Sequence, residues 1–395
     1  MNEDIVVTGM GIITGLGYGK KQTLEALRLQ HSGIGKNNYL QTIHADYPVS
    51  EVKMSDNEMR NFLKIPSEKI ITRTPLLGIM ALNEAINEAR FDKNEARKIA
   101  FINGTTVGGM EKSEQYYPEF INTEHYIENH DCGSSSEAIA EYFGNFDMIT
   151  TISTACSSAA NAIVLGANLL KTERVDVAIV GGTECLSKFH LNGFNTLMIL
   201  DKAACRPFDA TRTGLNLGEG AAYLVLEKAS DAQQRNIKPL CKLSGYANTC
   251  DAYHQTASSP DGQGAYLAMQ NALYESQLKP EDIDYINAHG TGTENNDLSE
   301  GTAIMRIFKD TIPPVSSTKP FTGHTTSAAG SVESIISILA LQHDFIPANL
   351  NFNHPMPELS FQPVKENITK KLQHVLTNSF GFGGNDTTCI FSKIE

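Results

Sequence analysis

The sequence lacks any apolar run approaching the ~20 residues that a membrane-spanning helix needs; its longest, near residues 335–341, falls well short. The start, Met1-Asn2-Glu3-Asp4, is acidic and leads straight into a strand pattern, so neither export nor membrane insertion is expected. Positive charge is also scarce. The chain has 32 Lys and Arg against 45 Asp and Glu, a formal net charge of -13. That balance argues against nonspecific binding to nucleic acid or anionic membrane, and an acidic partner would need a local basic patch. The seven cysteines, Cys132, Cys156, Cys185, Cys205, Cys241, Cys250 and Cys389, are an odd number without a C-x-x-C pair. They suggest neither a disulfide framework nor a zinc site, and they fit a reducing cytoplasm. No H-E-x-x-H occurs, and His125 and His130, spaced i, i+5, do not share a helix face, so no metal is expected.

Nucleotide-binding glycine signatures are missing too. In Gly9-Met10-Gly11-Ile12-Ile13-Thr14, threonine stands where the third glycine of G-x-G-x-x-G belongs. In Gly19-Lys20-Lys21, lysine stands where Ser or Thr should follow a phosphate loop. Both read as backbone turns.

What is present is a regular alternation of strand-like and helical segments, which predicts an α/β layered fold. Strands are expected at Ile5–Thr8, Ile99–Asn103, Val175–Gly181, Ala221–Glu227, Cys241–Ala247, Tyr285–Ala288, Val315–Ser317 and Thr387–Ser392, and helices over 75–90, 157–171, 263–278, 297–308 and 328–343. The run Val175-Asp176-Val177-Ala178-Ile179-Val180 does not alternate, as befits a central strand buried on both faces. Ala100 to Thr106 and Tyr285 to Thr291 echo each other as strands running into Gly/Thr turns. With 395 residues and 41% hydrophobic content, the chain suits two fused units. The charged stretch Glu227–Lys238 places the seam near 238, giving halves 1–238 and 239–395.

Cys156 lies where a β-branched segment, residues 146–154, gives way to the Ala- and Leu-rich segment 157–171. A thiol at a helix N-terminus has its thiolate stabilised by unpaired N–H groups and the helix dipole, so a lowered pKa is expected. Two histidines, His289 and His324, sit in polar, glycine-punctuated turns that follow strands. Together with the thiol they make a nucleophile with acid/base help. Lys319 is a cation placed to tune His324.

Beside these residues stand Ser153-Thr154-Ala155-Cys156-Ser157-Ser158, Arg206-Pro207-Phe208-Asp209, Gly218-Glu219-Gly220-Ala221, Asp251-Ala252-Tyr253-His254, His289-Gly290-Thr291-Gly292-Thr293 with Asn296-Asp297, Lys319 through His324, Ala328 through Ser334, and Asn378 through Gly384. In that order they resemble the elongating β-ketoacyl-[acyl-carrier-protein] synthases of the thiolase superfamily, over nearly the whole chain. The resemblance implies a five-layered αβαβα fold built from two duplicated βαβαβαβ halves, normally a homodimer. It implies that Cys156 takes the acyl chain as a thioester, while His289 and His324 promote malonyl decarboxylation and hold the enolate. Lys319 organises the His324 side with Glu333 behind it, and Phe382 gates the acyl pocket. The N–H groups of Cys156 and Phe382 form an oxyanion hole, and Thr291 and Thr293 hold the phosphopantetheine arm. Phe380, Asp251, His254 and Glu333 join the substrate-binding set. No cofactor is implied beyond the arm that the carrier brings. A second histidine at the third catalytic position, where chain-initiating synthases have Asn and thiolases Cys, implies decarboxylative elongation.

Residues 113–150 depart from the family, as do Thr213 and Leu215, where Asp and Phe are usual; both suggest a specialised branch such as polyene or pigment assembly. The alternative is a non-autonomous subunit of a heterodimer in a polyketide or aryl-polyene pathway. For docking an acidic acyl carrier protein, the candidate basic patch is Arg60, Lys64, Lys69 and Arg73, with Lys202 and Arg206 nearer the tunnel mouth.

Overall fold

A computed structural model describes residues 3–91, 97–117, 124–144 and 146–394. Ten strands carry the fold. Five come first: β1 Ile5–Thr14, β2 Ile99–Gly104, β3 Met148–Ile152, β4 Val177–Glu184 and β5 Gly220–Lys228. Five follow: β6 Cys241–Cys250, β7 Tyr285–Asn287, β8 Val315–Ser316, β9 His374–Gly381 and β10 Asn385–Ser392. The first set runs β3-β2-β4-β5-β1 across the sheet and the second β8-β7-β9-β10-β6, the same order in each. Strand directions match as well. β2 is parallel to β3 and β4, and β5 is antiparallel to β4 and β1. In the second set β7 is parallel to β8 and β9, and β10 is antiparallel to β9 and β6. The sets join where β1 meets β6 through Val6–Lys242 and Val7–Cys241. The echo in the sequence is therefore a structural duplication.

The helices make the other three layers. Helix α1 (Arg73–Ala89) covers the outer face of the first set, against β1 and β5. Between the sets, α3 (Ser158–Lys171) and α8 (Ala329–His343) lie against each other. On the second outer face pack α5 (Gln263–Ser276) and α6 (Glu294–Phe308). One apolar core occupies the middle and one lies under each outer layer. This is the expected five-layered α/β architecture. The approach of α3 to α8 depends on Gly330, where a Cβ would stand 2.7 Å from the backbone N of Ala160. Because α3 follows β3 and α8 follows β8, the duplication brings corresponding strand ends together at one place, where side chains from both halves converge.

Some segments differ from expectation. Gly9 and Gly11 are not a turn: β1 continues through them to Thr14, and a Cβ at Gly11 would lie 2.1 Å from the Ala81 carbonyl oxygen of α1. Those glycines serve a close helix–strand approach. Gly19 and Lys20 open a helix, Gly19–Arg28. Strand β9 was not expected, since its Asn, Ser and Gly are poor strand formers, but it lies between β7 and β10, where tertiary pairing overrides propensity. Helix α2 (Cys132–Phe143) begins in a Gly/Ser-rich stretch that reads as a loop, yet Asp131 caps it by accepting from the Ser134 N–H at 2.9 Å. The unfamiliar segment 113–150 includes this helix; its residues 118–123 and 145 lie outside the described residues.

Candidate active site

Cys156 occupies the corner between β3 and α3. Ala155 before it adopts φ of 50°, uncommon for a residue with a Cβ, and the Ser158 N–H and hydroxyl hold its carbonyl at 3.2 and 2.6 Å. The helix starts only at Ser158, so Cys156 lies outside it rather than in its first turn. Burial pushes the Cys156 thiol up to about 12, outweighing the charge of Lys319 and the N–H groups of Phe382 and Cys156 that approach the sulfur. The expected lowered pKa is therefore corrected: at rest this is a neutral thiol in need of a base. One is in place, with His324 Nε2 3.0 Å from Cys156 Sγ.

His289 stands beside it, the two imidazoles edge to face with centroids 5.3 Å apart. The backbone N–H groups of His289 and Gly290 donate to Glu300 at 2.9 and 2.8 Å, which fixes the turn after β7. Lys319, 1% exposed, does not contact His324. Its ammonium lies 3.2 Å from His289 Nδ1, donates to the His289 carbonyl at 2.6 Å, and pairs with Glu333. An ammonium has no lone pair, so the facing Nδ1 must be the acceptor, and the neutral ring carries its proton on Nε2. Burial first, and then the charge of Lys319, hold both histidines well below the usual imidazole range. Glu333 is raised to about 7 by burial, against the pull of Lys319.

A cavity of about 340 Å³ opens onto Cys156, His289 and His324. Thr291 and Thr293, their hydroxyls 2.8 Å apart, line it with Phe380 and Phe382. The Phe382 ring stacks on Phe194 at 5.8 Å, and Gly383 and Gly384 after it take φ of 83° and 77°. Three expected substrate-binding residues do not line this cavity. Glu333 sits behind Lys319. Asp251 accepts from the Ser259 and Gly264 N–H groups, bracing the start of α5. His254 is exposed and accepts from the Thr256 N–H at 3.2 Å. The lining from that loop is instead Thr256, Ala257 and Ser258. Asn295, Phe194 and Met198 also line it without having been singled out, and Asn296 joins them from the Asn296-Asp297 motif.

The basic candidates are mostly engaged. Arg73 is 7% exposed: it makes a bidentate contact with Glu219, pairs with Asp56, and donates to the carbonyls of Met54 and Val52. It is a buried structural cation, not a surface group. Arg60 donates to the carbonyls of Pro66, Ser67 and Lys69. Lys69 pairs with Glu141 at 3.1 Å, Lys202 with Asp46 at 2.6 Å and Arg206 with Asp201 at 3.2 Å. Lys64 is exposed at the end of helix Asp56–Leu63.

A thiol, two neutral imidazoles and a buried Lys–Glu pair at the meeting of two duplicated α/β halves define a thiol acyltransferase of the condensing type. The model of the β-ketoacyl synthase N-terminal domain matches residues 2–232, and that of the β-ketoacyl synthase C-terminal domain matches residues 240–353. The chain belongs to the β-ketoacyl synthase family. It is 33% identical over 410 residues to 3-oxoacyl-[acyl-carrier-protein] synthase 2 of Synechocystis, covering 99% of this chain and 98% of the relative. To 3-oxoacyl-[acyl-carrier-protein] synthase 2 of Staphylococcus aureus it is 30% identical, with 100% and 99% covered. Among solved structures, the ishigamide ketosynthase/chain length factor superposes with TM-score 0.94 at 26% identity, 100% of each chain covered. A ketosynthase (ApeO) in complex with its chain length factor (ApeC) from Xenorhabdus doucetiae gives TM-score 0.85 at 29% identity, covering 99% of this chain and 98% of that one. The activity is that of a 3-oxoacyl-[acyl-carrier-protein] synthase, an acyltransferase.

Proposed function

We propose that Cys156 carries the growing acyl chain and that His289 and His324 serve both half-reactions, a reading carried by the 3.0 Å contact between Cys156 Sγ and His324 Nε2. His324 takes the thiol proton as the sulfur attacks the acyl-carrier thioester, and the proton passes to the departing carrier thiolate. The carbonyl oxygen gains charge between the N–H groups of Cys156 and Phe382. Malonyl-carrier then enters past Thr291 and Thr293. Its carboxyl carbon bond breaks, CO₂ leaves, and the electron pair moves onto an enolate oxygen facing the Nε2–H of His289, with His324 joining as a donor once its proton is relocated to Nε2. The enolate carbon attacks the Cys156 thioester, the sulfur leaves as a thiolate that takes a proton from water to restore the thiol, and a 3-oxoacyl-carrier two carbons longer is released. Lys319 is a positioning residue that holds the His289 tautomer, and Glu333 neutralises it. Phe382 on its glycine turn gates the cavity.

The carrier protein is the partner we assign, as the relatives' names indicate, with Lys64 and the exposed parts of Arg60, Lys69, Lys202 and Arg206 as docking candidates. Among the described residues no helix is long and apolar enough to cross a membrane, and we place the chain in the cytoplasm. We propose a two-fold dimer through the edge strand β3, whose Ile149 is 44% exposed. A heterodimer with a chain-length-factor subunit is favoured as the second reading by two structural neighbours, the ishigamide ketosynthase/chain length factor and ApeO in complex with its chain length factor ApeC. Purified chain is to be incubated with acyl-carrier and malonyl-carrier protein while CO₂ release, acyl adduct mass and oligomeric state are recorded. Condensation by the chain alone as a homodimer supports the first reading. Condensation that needs a second subunit supports the other. Failure to acylate Cys156 under both conditions would sink both.

A further inference from the structure

We propose that Asn385 sets the oxyanion hole: its side-chain carbonyl ties the turn carrying Phe382 to the loop carrying Cys156. The N–H groups of those two residues then face one oxygen. This rests on Cys156 as the acyl-bearing residue and adds a positioning residue to that reading. Gly381 ends β9 and pairs with Asn385 at the start of β10, which closes the turn Phe382 to Gly384 between them. Both ends of that turn rest on the nucleophile loop. At Gly381 the contact is backbone to backbone: a Cβ there would stand 2.8 Å from the Thr154 carbonyl oxygen and 3.2 Å from the Ser157 nitrogen. At Asn385 it is made by the side chain. The Asn161 amide of α3 donates to Asn385 Oδ1 at 2.6 Å and, through its second hydrogen, to Thr154 Oγ1 at 2.9 Å. Ser157, the residue after Cys156, places its hydroxyl 2.8 Å from Asn385 Oδ1.

The hydrogen bonds around Asn385 close into a network. From β6, the Asn248 amide donates to Asn385 Oδ1 at 2.7 Å and to Thr387 Oγ1 at 2.9 Å, and the Thr387 hydroxyl donates to Asn161 Oδ1 at 2.8 Å. A carbonyl oxygen has two lone pairs, and the two amides fill them. The single Ser157 hydroxyl proton is then free for the Thr154 carbonyl, also 2.8 Å away. The same hairpin fixes the Cys156 carbonyl, which accepts from the Ser379 hydroxyl of β9 at 3.0 Å. The Phe382 ring has a different support, since it stacks on Phe194 of helix α4 (Lys188–Thr196). Ring and N–H of the gate residue are therefore held by separate partners, and the N–H belongs to the turn that Asn385 anchors. Gly383 and Gly384, at φ of 83° and 77°, give that turn little stiffness of its own. Preorganised donors stabilise a developing oxyanion only where they are correctly placed, and a displacement of about 1 Å costs about 10²-fold in rate.

The test compares two reactions of the Cys156 thiol in the full chain. Transfer from hexanoyl-pantetheine puts charge on a carbonyl oxygen as the sulfur bonds to the acyl carbon, and the pantetheine thiol then leaves. Alkylation by iodoacetamide expels iodide from a methylene carbon and needs no oxyanion hole. Both are followed by mass on the peptide that contains Cys156. Asn385→Ala is expected to slow acylation by about tenfold to a hundredfold and alkylation by less than about threefold. Asn161→Ala should show the same split, and it carries the comparison if Asn385→Ala does not fold. The double variant should be no slower in acylation than the slower single one, because both substitutions remove one contact. Equal slowing of acylation and alkylation would make Asn385 a support for the thiol loop as a whole and overturns the proposal. So does acylation at the wild-type rate in a folded single variant. A wild type that is alkylated at Cys156 yet never acylated overturns the acyl-carrying role itself, and this inference with it.

Discussion

Replacing Lys319 by methionine separates what the buried Lys–Glu pair does for stability from what it does for chemistry. The ammonium is 1% exposed and makes three contacts: the Glu333 carboxylate, the His289 carbonyl at 2.6 Å and His289 Nδ1 at 3.2 Å. Removing one partner of a buried pair strands the other charge, a loss of about 3–5 kcal/mol. Protonation of Glu333, already raised to about 7, should reduce that loss near neutral pH. The chemical effect is distinct. Without the ammonium, Nδ1 has no donor and either nitrogen of His289 can carry the proton. Loss of one fixed donor to the enolate is expected to slow malonyl decarboxylation by about 10²–10³-fold. The double variant Lys319→Met with Glu333→Leu removes both charges, so urea unfolding should show most of the stability restored while CO₂ release stays slow. A Lys319→Met protein that decarboxylates malonyl-carrier at the wild-type rate would refute the tautomer role. Equal recovery of rate and stability in the double variant would reduce Lys319 to a structural cation.

Because both histidines are held well below the usual imidazole range, decarboxylation should stay flat as pH falls from 8 to 6 and decline only at lower pH, when the rings protonate. A decline centred near the ordinary value of about 6.5 would contradict the burial argument. Gly381→Ala places a Cβ 2.8 Å from the Thr154 carbonyl oxygen and 3.0 Å from Ser157 Oγ. It should displace the nucleophile loop, cost about 1–3 kcal/mol in thermal unfolding and slow acylation of Cys156. Arg73→Ala leaves Glu219 buried and unpaired and is expected to lower stability by about 3–5 kcal/mol in a urea titration. Its KM for the carrier should match wild type in whatever protein remains folded. A selective rise in KM would return Arg73 to the docking surface.

The layered α/β fold was legible because strand-like and helical segments alternate, and each period reports which face is buried. Where local composition opposed the fold, reading failed: β9 carries Asn378 and Ser379 in its interior, and only its neighbours β7 and β10 make it a strand. Helix α2 was missed because three serines at its start mask a helix that Asp131 caps. In the site, the thiol, the imidazoles and Phe382 with its glycine turn could be picked out from motifs, and all of them line the cavity. Thr256, Ser258 and Asn295 could not, since their loops acquire a cavity-lining role only on folding.

The sequence by itself determined which groups are available: Cys156 at a strand-to-helix corner, His289 and His324 in turns after strands, and Phe382 among glycines. These are local facts, set by neighbours along the chain. Tertiary structure alone decided their states. Cys156 and His324 are 168 residues apart in sequence and 3.0 Å apart in space. Lys319 turned from its near neighbour His324 to His289, and Arg73 went inside. The helix end beside Cys156 did not lower its pKa, because desolvation sums over every atom that excludes water, and the dipole of one helix does not outweigh that sum.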